Sequence, residues 1–344
     1  MTKNKLGFYQ IFILTFFFTR SLISIGFLPN FVTVNPIDNI LSMLLAFVLG
    51  LIILNIYLKL LKHIPKELPN TKKKYLLIIP LILILTLFAS YLTNNTANFI
   101  KVIFLPNESL ILIILLFLFL SFYLSRGKIE SIARTAQIFF YIFLILLLLV
   151  FVGMIPVVNK ELLMPLYSGN IKKLLQGTIM FGTGMIIPFF FLIFLKPYLK
   201  EDDHKNKKAI ISGYIVAFFS IFLFNIITIA SLGTDLTMFY HYPEAVAFKK
   251  IVYFNFIERL EGVYSLIFLF DSLVLLSFIL YTLSHLLNLK NKYQKIIYFI
   301  IVIIIFLISL KINFNPYFIY ILLLISIIFL ILSSLINKRQ KKKV

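Results

Sequence analysis

Ten runs of roughly 20 predominantly apolar residues succeed one another along this chain, at about 8–29, 38–61, 75–99, 109–125, 134–157, 173–196, 209–232, 258–287, 294–312 and 317–337. An α-helix of about 20 residues crosses the ~30 Å hydrocarbon core of a bilayer with its backbone groups bonded internally, which few other structures achieve. Of the 344 residues, 61% are hydrophobic and 13% are charged, against roughly 25% charged residues in ordinary soluble domains. The connections between runs are too short for a soluble domain, so residues 1–344 are expected to form a single, all-α transmembrane domain of ten helices. The first run is longer than a signal peptide's apolar core and contains Arg20. Phe27, Leu28 and Pro29 follow it where a small-residue cleavage site would lie, so it is expected to stay in the membrane.

The formal charge of +20 is large for so apolar a chain. Counted on alternate sides of the ten spans, Lys and Arg divide into 24 on the side of both termini and 8 on the other, with Arg20 inside a span. Basic loops are retained in the cytoplasm, so both termini are expected there. Counts of eight, eleven or twelve spans stay open, because the partly apolar stretch 236–257 is able to dip into the membrane. An odd count would put the C-terminal KRQKKK opposite the other basic loops, which favours ten.

With no cysteine, disulfide frameworks, thiolate metal sites and cysteine nucleophiles are excluded, and His63, His204, His241 and His285 are too scattered to suggest a metal site. Nucleotide-binding GxxxxGK, HExxH and GxSxG patterns are absent. No enzyme, cofactor or nucleic-acid role is therefore expected. The basic excess reads as membrane orientation.

Ten spans form two sets of five, and because five is odd the second set runs inverted to the first, with the halves at 1–157 and 158–344. Transporters built this way interrupt the first helix of each half near the midplane, where free backbone groups bind substrate or ion. Span six carries Gly182, Gly184 and Pro188 near its middle, which predicts an unwound stretch there. Span one has Arg20, Ser21 and Ser24, then Gly26 and Pro29. Close helix packing and a simple kink are the competing explanation for these small residues.

Arg20 near the centre of span one and Asp271 near the centre of span eight each cost about 2.5–3.5 kcal/mol to insert, so the two are expected to pair or to share a polar cavity. Asn55, Asn225 and Thr228 are expected to make interhelical hydrogen bonds, and Lys196 to snorkel outward. The outer stretch from Leu232 to Gly262 mixes aromatics with Glu244, Glu258, Arg259 and Glu261. It reads either as a polar lid or partner-docking surface, or as an ordinary wet loop with an interfacial aromatic belt.

The run from Glu130 through Arg134 into span five, NKELLMPLYSGNIKKLLQG before span six, then SLG, YPEAVAF and FIERLEGVYSLIF, resembles the spore germination permease family, the B subunits of GerA-type nutrient germinant receptors. The likeness covers nearly the whole chain and is strongest from about Glu130 to Phe270. It implies the LeuT-type five plus five inverted repeat of the amino acid, polyamine and organocation transporters, with helices one and six broken. It also implies A and C partner subunits in the spore inner membrane, or a cell membrane location, and a small nutrient ligand such as an amino acid. By the same resemblance, ligand would lie between Ser24, Gly26 and Pro29 of span one and Gly182, Thr183, Gly184 and Pro188 of span six. Tyr242, Pro243, Glu258, Arg259 and Glu261 would match the family's outer-loop pattern. Arg20 and the bulky Phe16–Phe18 stand where many members are glycine-rich. An ion-coupled amino acid permease and a noncatalytic scaffold for partner subunits are the alternatives to a receptor.

Overall fold

The computed structural model describes residues 5–24, 37–63, 73–200, 202–250, 261–287 and 292–311. Eleven α-helices occur among them: α1 (Phe8–Leu22), α2 (Asn39–His63), α3 (Lys73–Ile103), α4 (Leu110–Ser125), α5 (Ile129–Met154), α6 (Ile171–Ile186), α7 (Phe189–Leu195), α8 (Asp203–Phe239), α9 (Pro243–Lys249), α10 (Glu261–Leu286) and α11 (Lys292–Lys311). Among the described residues, six helical segments are long and apolar enough to cross a membrane: Asn39–Lys62, Ile78–Ile103, Ile129–Met154, Ile171–Tyr198, Asp203–Phe239 and Gly262–Leu286. The described parts of the first nine expected spans fall on helices, while 25–29, 258–260, 312 and 317–337 lie outside the described residues.

Local sequence sets several boundaries. The side chains of Ser109, Asn170 and Asp202 accept from the backbone N–H groups of Leu112, Lys173 and Lys205, satisfying donors that a helix start leaves free. Within α8, Gly233 has φ 78°, which an L-residue with a side chain rarely adopts, and it kinks the helix where span seven was expected to end at 232. Six further residues then continue as helix to Phe239.

The helices form two groups. In one, α1 runs along α8 and α2 along α6, while α2 also touches α7 and α8. In the other, α10 packs on α3, α4 and α5, and α11 on α3 and α4. Contacts of α1 with α5 and α10 join the groups. Approach of α1 to α8 is close because residue 213 is glycine: a Cβ there would lie 2.5 Å from the carbonyl oxygen of Phe12. Inner and outer helices differ sharply in burial. The best apolar window of the α10 segment is 72% buried, whereas that of α5 is 22% buried and presents Tyr141, Ile145, Leu148 and Val152 outward. An apolar outer face of this kind is what lipid contact requires.

Candidate functional site

The junction of the two groups is polar. Arg20, in the last turn of α1, is almost fully buried, as is Asp271 on α10. The Arg20 Nε donates to both carboxylate oxygens at 3.1 Å, and a terminal nitrogen reaches Oδ2 at 3.0 Å. The other terminal nitrogen donates to Ser220 Oγ of α8 at 2.7 Å. Ser21 Oγ lies within bonding reach of the carbonyl oxygens of Phe17, at 2.6 Å, and Asp271. The expected pairing of Arg20 with Asp271 is thus present, and the arginine ties α1, α8 and α10 together.

Aromatic rings complete the enclosure. The guanidinium carbon is 4.6 Å from the Phe143 ring centre, 5.5 Å from that of Phe224 and 5.6 Å from that of Phe16. These rings attract the cation through their quadrupoles while excluding water. Phe16 and Phe17 are part of the packed wall and meet edge to face at 5.3 Å. Desolvating two charges is expensive, and the pair is sustained because opposite charge, a hydroxyl and three rings replace the lost water.

The expected break in span six is displaced. Gly182, Thr183 and Gly184 remain buried and helical within α6, and the interruption falls at Ile187–Pro188 before α7 begins. The turn stays tight, with Phe190 N donating to Ile187 O at 3.0 Å and Phe191 N to Pro188 O at 3.1 Å. Proline explains the shift: it has no N–H, so the Gly184 carbonyl loses the donor a continuous helix would supply. At Gly182, a Cβ would sit 3.7 Å from Ala46 Cβ, an ordinary contact distance, so α6 faces α2 there with room for a methyl group. Thr183 Oγ1 donates to Ile179 O at 2.7 Å. In span one, Ile23 and the buried Ser24 leave the α-helix in a wider, π-type turn, a local form often found at functional positions. Gly26 and Pro29 lie outside the described residues.

A second polar pair joins α2 to α8. Asn225 Nδ2 donates to Asn39 Oδ1 at 2.5 Å and to Met43 Sδ at 2.9 Å, the interhelical bond expected of Asn225. Asn39 Nδ2 and Asn225 Oδ1, both buried, have no hydrogen-bond partner among the described residues. Thr228 bonds within its own helix instead, to Phe224 O at 2.8 Å, and Asn55 does likewise to Leu51 O at 3.0 Å. Lys196 also departs from expectation. Its ammonium turns inward onto the carbonyl oxygens of Leu61 and Lys62 at the end of α2, which carry uncompensated negative character.

Beyond the end of α8, Tyr242 and Pro243 open α9, a short helix whose Pro243, Glu244, Ala245, Ala247 and Phe248 are buried against α8 and α10. This packed plug differs from a wet loop. Tyr242 meets the Phe99 ring edge-on at 5.0 Å. Glu244 is 1% exposed, its Oε1 has no partner among the described residues, and burial pushes its carboxyl up from 4.5 to about 7. Glu258 and Arg259 lie outside the described residues, as does the side chain of Glu261. Asn39 and Ser220 escaped the sequence reading: one sits at the edge of an apolar run and the other is one serine among many in spans. Only their convergence on Asn225 and Arg20 distinguishes them.

A buried ion pair thus lies at the meeting point of two groups of membrane-length helices. The crystal structure of MhsT in complex with L-phenylalanine has a similar fold, with a TM-score of 0.63 at 13% identity over 95% of this chain and 87% of that one. This fold is of the LeuT type. A variant of the Eremococcus coleocola manganese transporter aligns over 95% of each chain at 11% identity, but its TM-score of 0.35 is too low to carry a fold assignment. No curated protein sequence matches. The sequence profile of the spore permeases, described as spore germination protein, matches residues 5–319, and the chain belongs to that family.

Proposed function

We propose that this protein is the membrane-embedded subunit of a nutrient germinant receptor, responding to a small nutrient such as an amino acid to start spore germination. The observation that carries the reading is the Arg20–Asp271–Ser220 centre, which ties the two helix groups together in a chain of the germination family. Ten helices in two inverted halves, 1–157 and 158–344, with both termini cytoplasmic in the spore inner membrane, are part of the proposal. So are A and C partner subunits.

Ligand lies between the end of α1 around Ser24 to Pro29 and the α6–α7 break around Gly182 to Pro188, with Tyr242, Pro243, Glu258, Arg259 and Glu261 forming the outer gate. The Gly184 carbonyl, which Pro188 deprives of its helical donor, suits the ammonium of an amino acid. A ligand that binds one packing of the two groups better than the other shifts their balance by that difference in affinity, and partner subunits read the shift.

A plain permease is the second reading, favoured by the fold shared with an L-phenylalanine-bound protein. Purified full-length protein titrated with a panel of amino acids and nucleosides should bind one class saturably, and Gly184→Leu should abolish binding. Labelled ligand accumulating in proteoliposomes would favour the permease. Binding with little uptake, together with loss of nutrient-dependent germination on deletion, supports the receptor. Failure of every ligand to bind contradicts both.

A further inference from the structure

Far from this centre, three helix ends enclose a cavity of about 350 Å³ on the cytoplasmic side, between the end of α2, the residues after α7 and the start of α8. Five lysines line it, Lys59, Lys62, Lys196, Lys200 and Lys207, against one carboxylate, Asp203. Asp203 is already engaged, 3.1 Å from Lys62, and Lys196 is held by the α2 carbonyls. Among the described residues, Lys59, Lys200 and Lys207 have no acidic partner. Orientation alone explains lysines on this side, but not their gathering around one concavity with an apolar lining of Leu58, Leu61, Leu199 and Ile210.

The neighbouring surface indicates the occupant. Ile52, Ile56 and Leu60 of α2 are exposed and belong to its lipid-facing stripe, directly beside Lys59 and Lys62. A lipid whose chains follow that stripe would bring its headgroup to the lysines, and basic pockets between membrane helices on the cytoplasmic side are suited to anionic headgroups. We propose that this cavity binds the phosphate headgroup of an anionic phospholipid, with acyl chains along α2 and the phosphate among Lys59, Lys200 and Lys207. Because the site joins α2 to α8, such a lipid would brace the helix group that contains α1 and α6.

The test uses full-length protein in a neutral detergent, titrated separately with short-chain phosphatidylglycerol, the same-chain phosphatidylcholine and inorganic phosphate, with bound lipid read by native mass spectrometry. Phosphatidylglycerol should be retained at least about tenfold over phosphatidylcholine, because only the former brings a net negative charge to the lysines. K59Q/K200Q/K207Q should erase that preference, and K59R/K200R/K207R should keep it. Thermal unfolding in phosphatidylcholine checks the fold of both variants. If the Gln variant is misfolded, single Gln variants that fold should each lower the preference. Equal retention of the two lipids, or a folded Gln variant that keeps the preference, overturns the proposal. Inorganic phosphate competing as well as phosphatidylglycerol also overturns it, because the site would then recognise a free anion.

Discussion

Basic residues at two depths of this molecule behave in opposite ways. At the centre, one arginine is buried, bound to a carboxylate and a hydroxyl and wrapped by three aromatic rings. At the ends of α2 and α8, five lysines share one cavity with a single carboxylate, and all but Lys196 are exposed. Position in the membrane makes the difference. Where water is absent a charge survives only with partners, and its removal strands those partners. Where headgroups and water are at hand, a charge needs none and its loss is cheap.

The contrast is sharpest in stability. Arg20→Gln or Asp271→Asn should each cost about 3–5 kcal/mol, because the remaining partner is left buried and uncompensated. The double variant Arg20→Met with Asp271→Leu should be less destabilised than either single change while still failing to respond to nutrient. Chemical unfolding in detergent measures the first, and spore germination the second. A single change as mild as the double one would break the distinction between buried and peripheral charge.

Glu244 supplies a third environment, buried but unpaired. Its carboxyl titrates near 7 when folded and near 4.5 when unfolded, so the native state binds the proton more tightly. Its contribution to stability is therefore full below pH 4.5 and is lost as pH rises through about 7, a change on the order of 3 kcal/mol. Glu244→Gln should flatten that slope in pH-dependent unfolding. Survival of the slope in the variant would assign it to another group.

Gly213→Ala tests the spacing that brings Ser220 to Arg20. An added Cβ meets the Phe12 carbonyl oxygen at 2.5 Å, so α1 and α8 must separate, at a cost of about 1–3 kcal/mol in unfolding. At the lower end, Lys59→Gln and Lys207→Gln should each change stability in phosphatidylcholine by less than about 0.5 kcal/mol. A larger loss there would mean that the rim lysines hold the fold together.

Much of this arrangement was legible in the sequence, because the bilayer allows so few solutions. Apolar runs located the helices, and two charges in mid-span located the centre, since a bare Arg20 or Asp271 would be prohibitive. Packing was less visible. Gly182 and Gly184 read equally as breakers or as close-contact residues, and only the helical backbone through both rules out the first role. Lys196 resembled a snorkelling residue until the end of α2 lay beneath it. Glu244 was one acid among several in an outer stretch, and its burial depends on α9 docking against α8 and α10, a long-range fact that local pattern does not encode.

Nutrient-triggered germination of spores carrying Asp271→Asn, with the amount of protein in the inner membrane measured in the same preparation, tests the role of the buried pair most directly. With protein present at wild-type level, the response to a panel of amino acids should be lost. Germination at the wild-type rate would contradict the proposed role of the Arg20–Asp271 centre in joining ligand binding to the receptor's response.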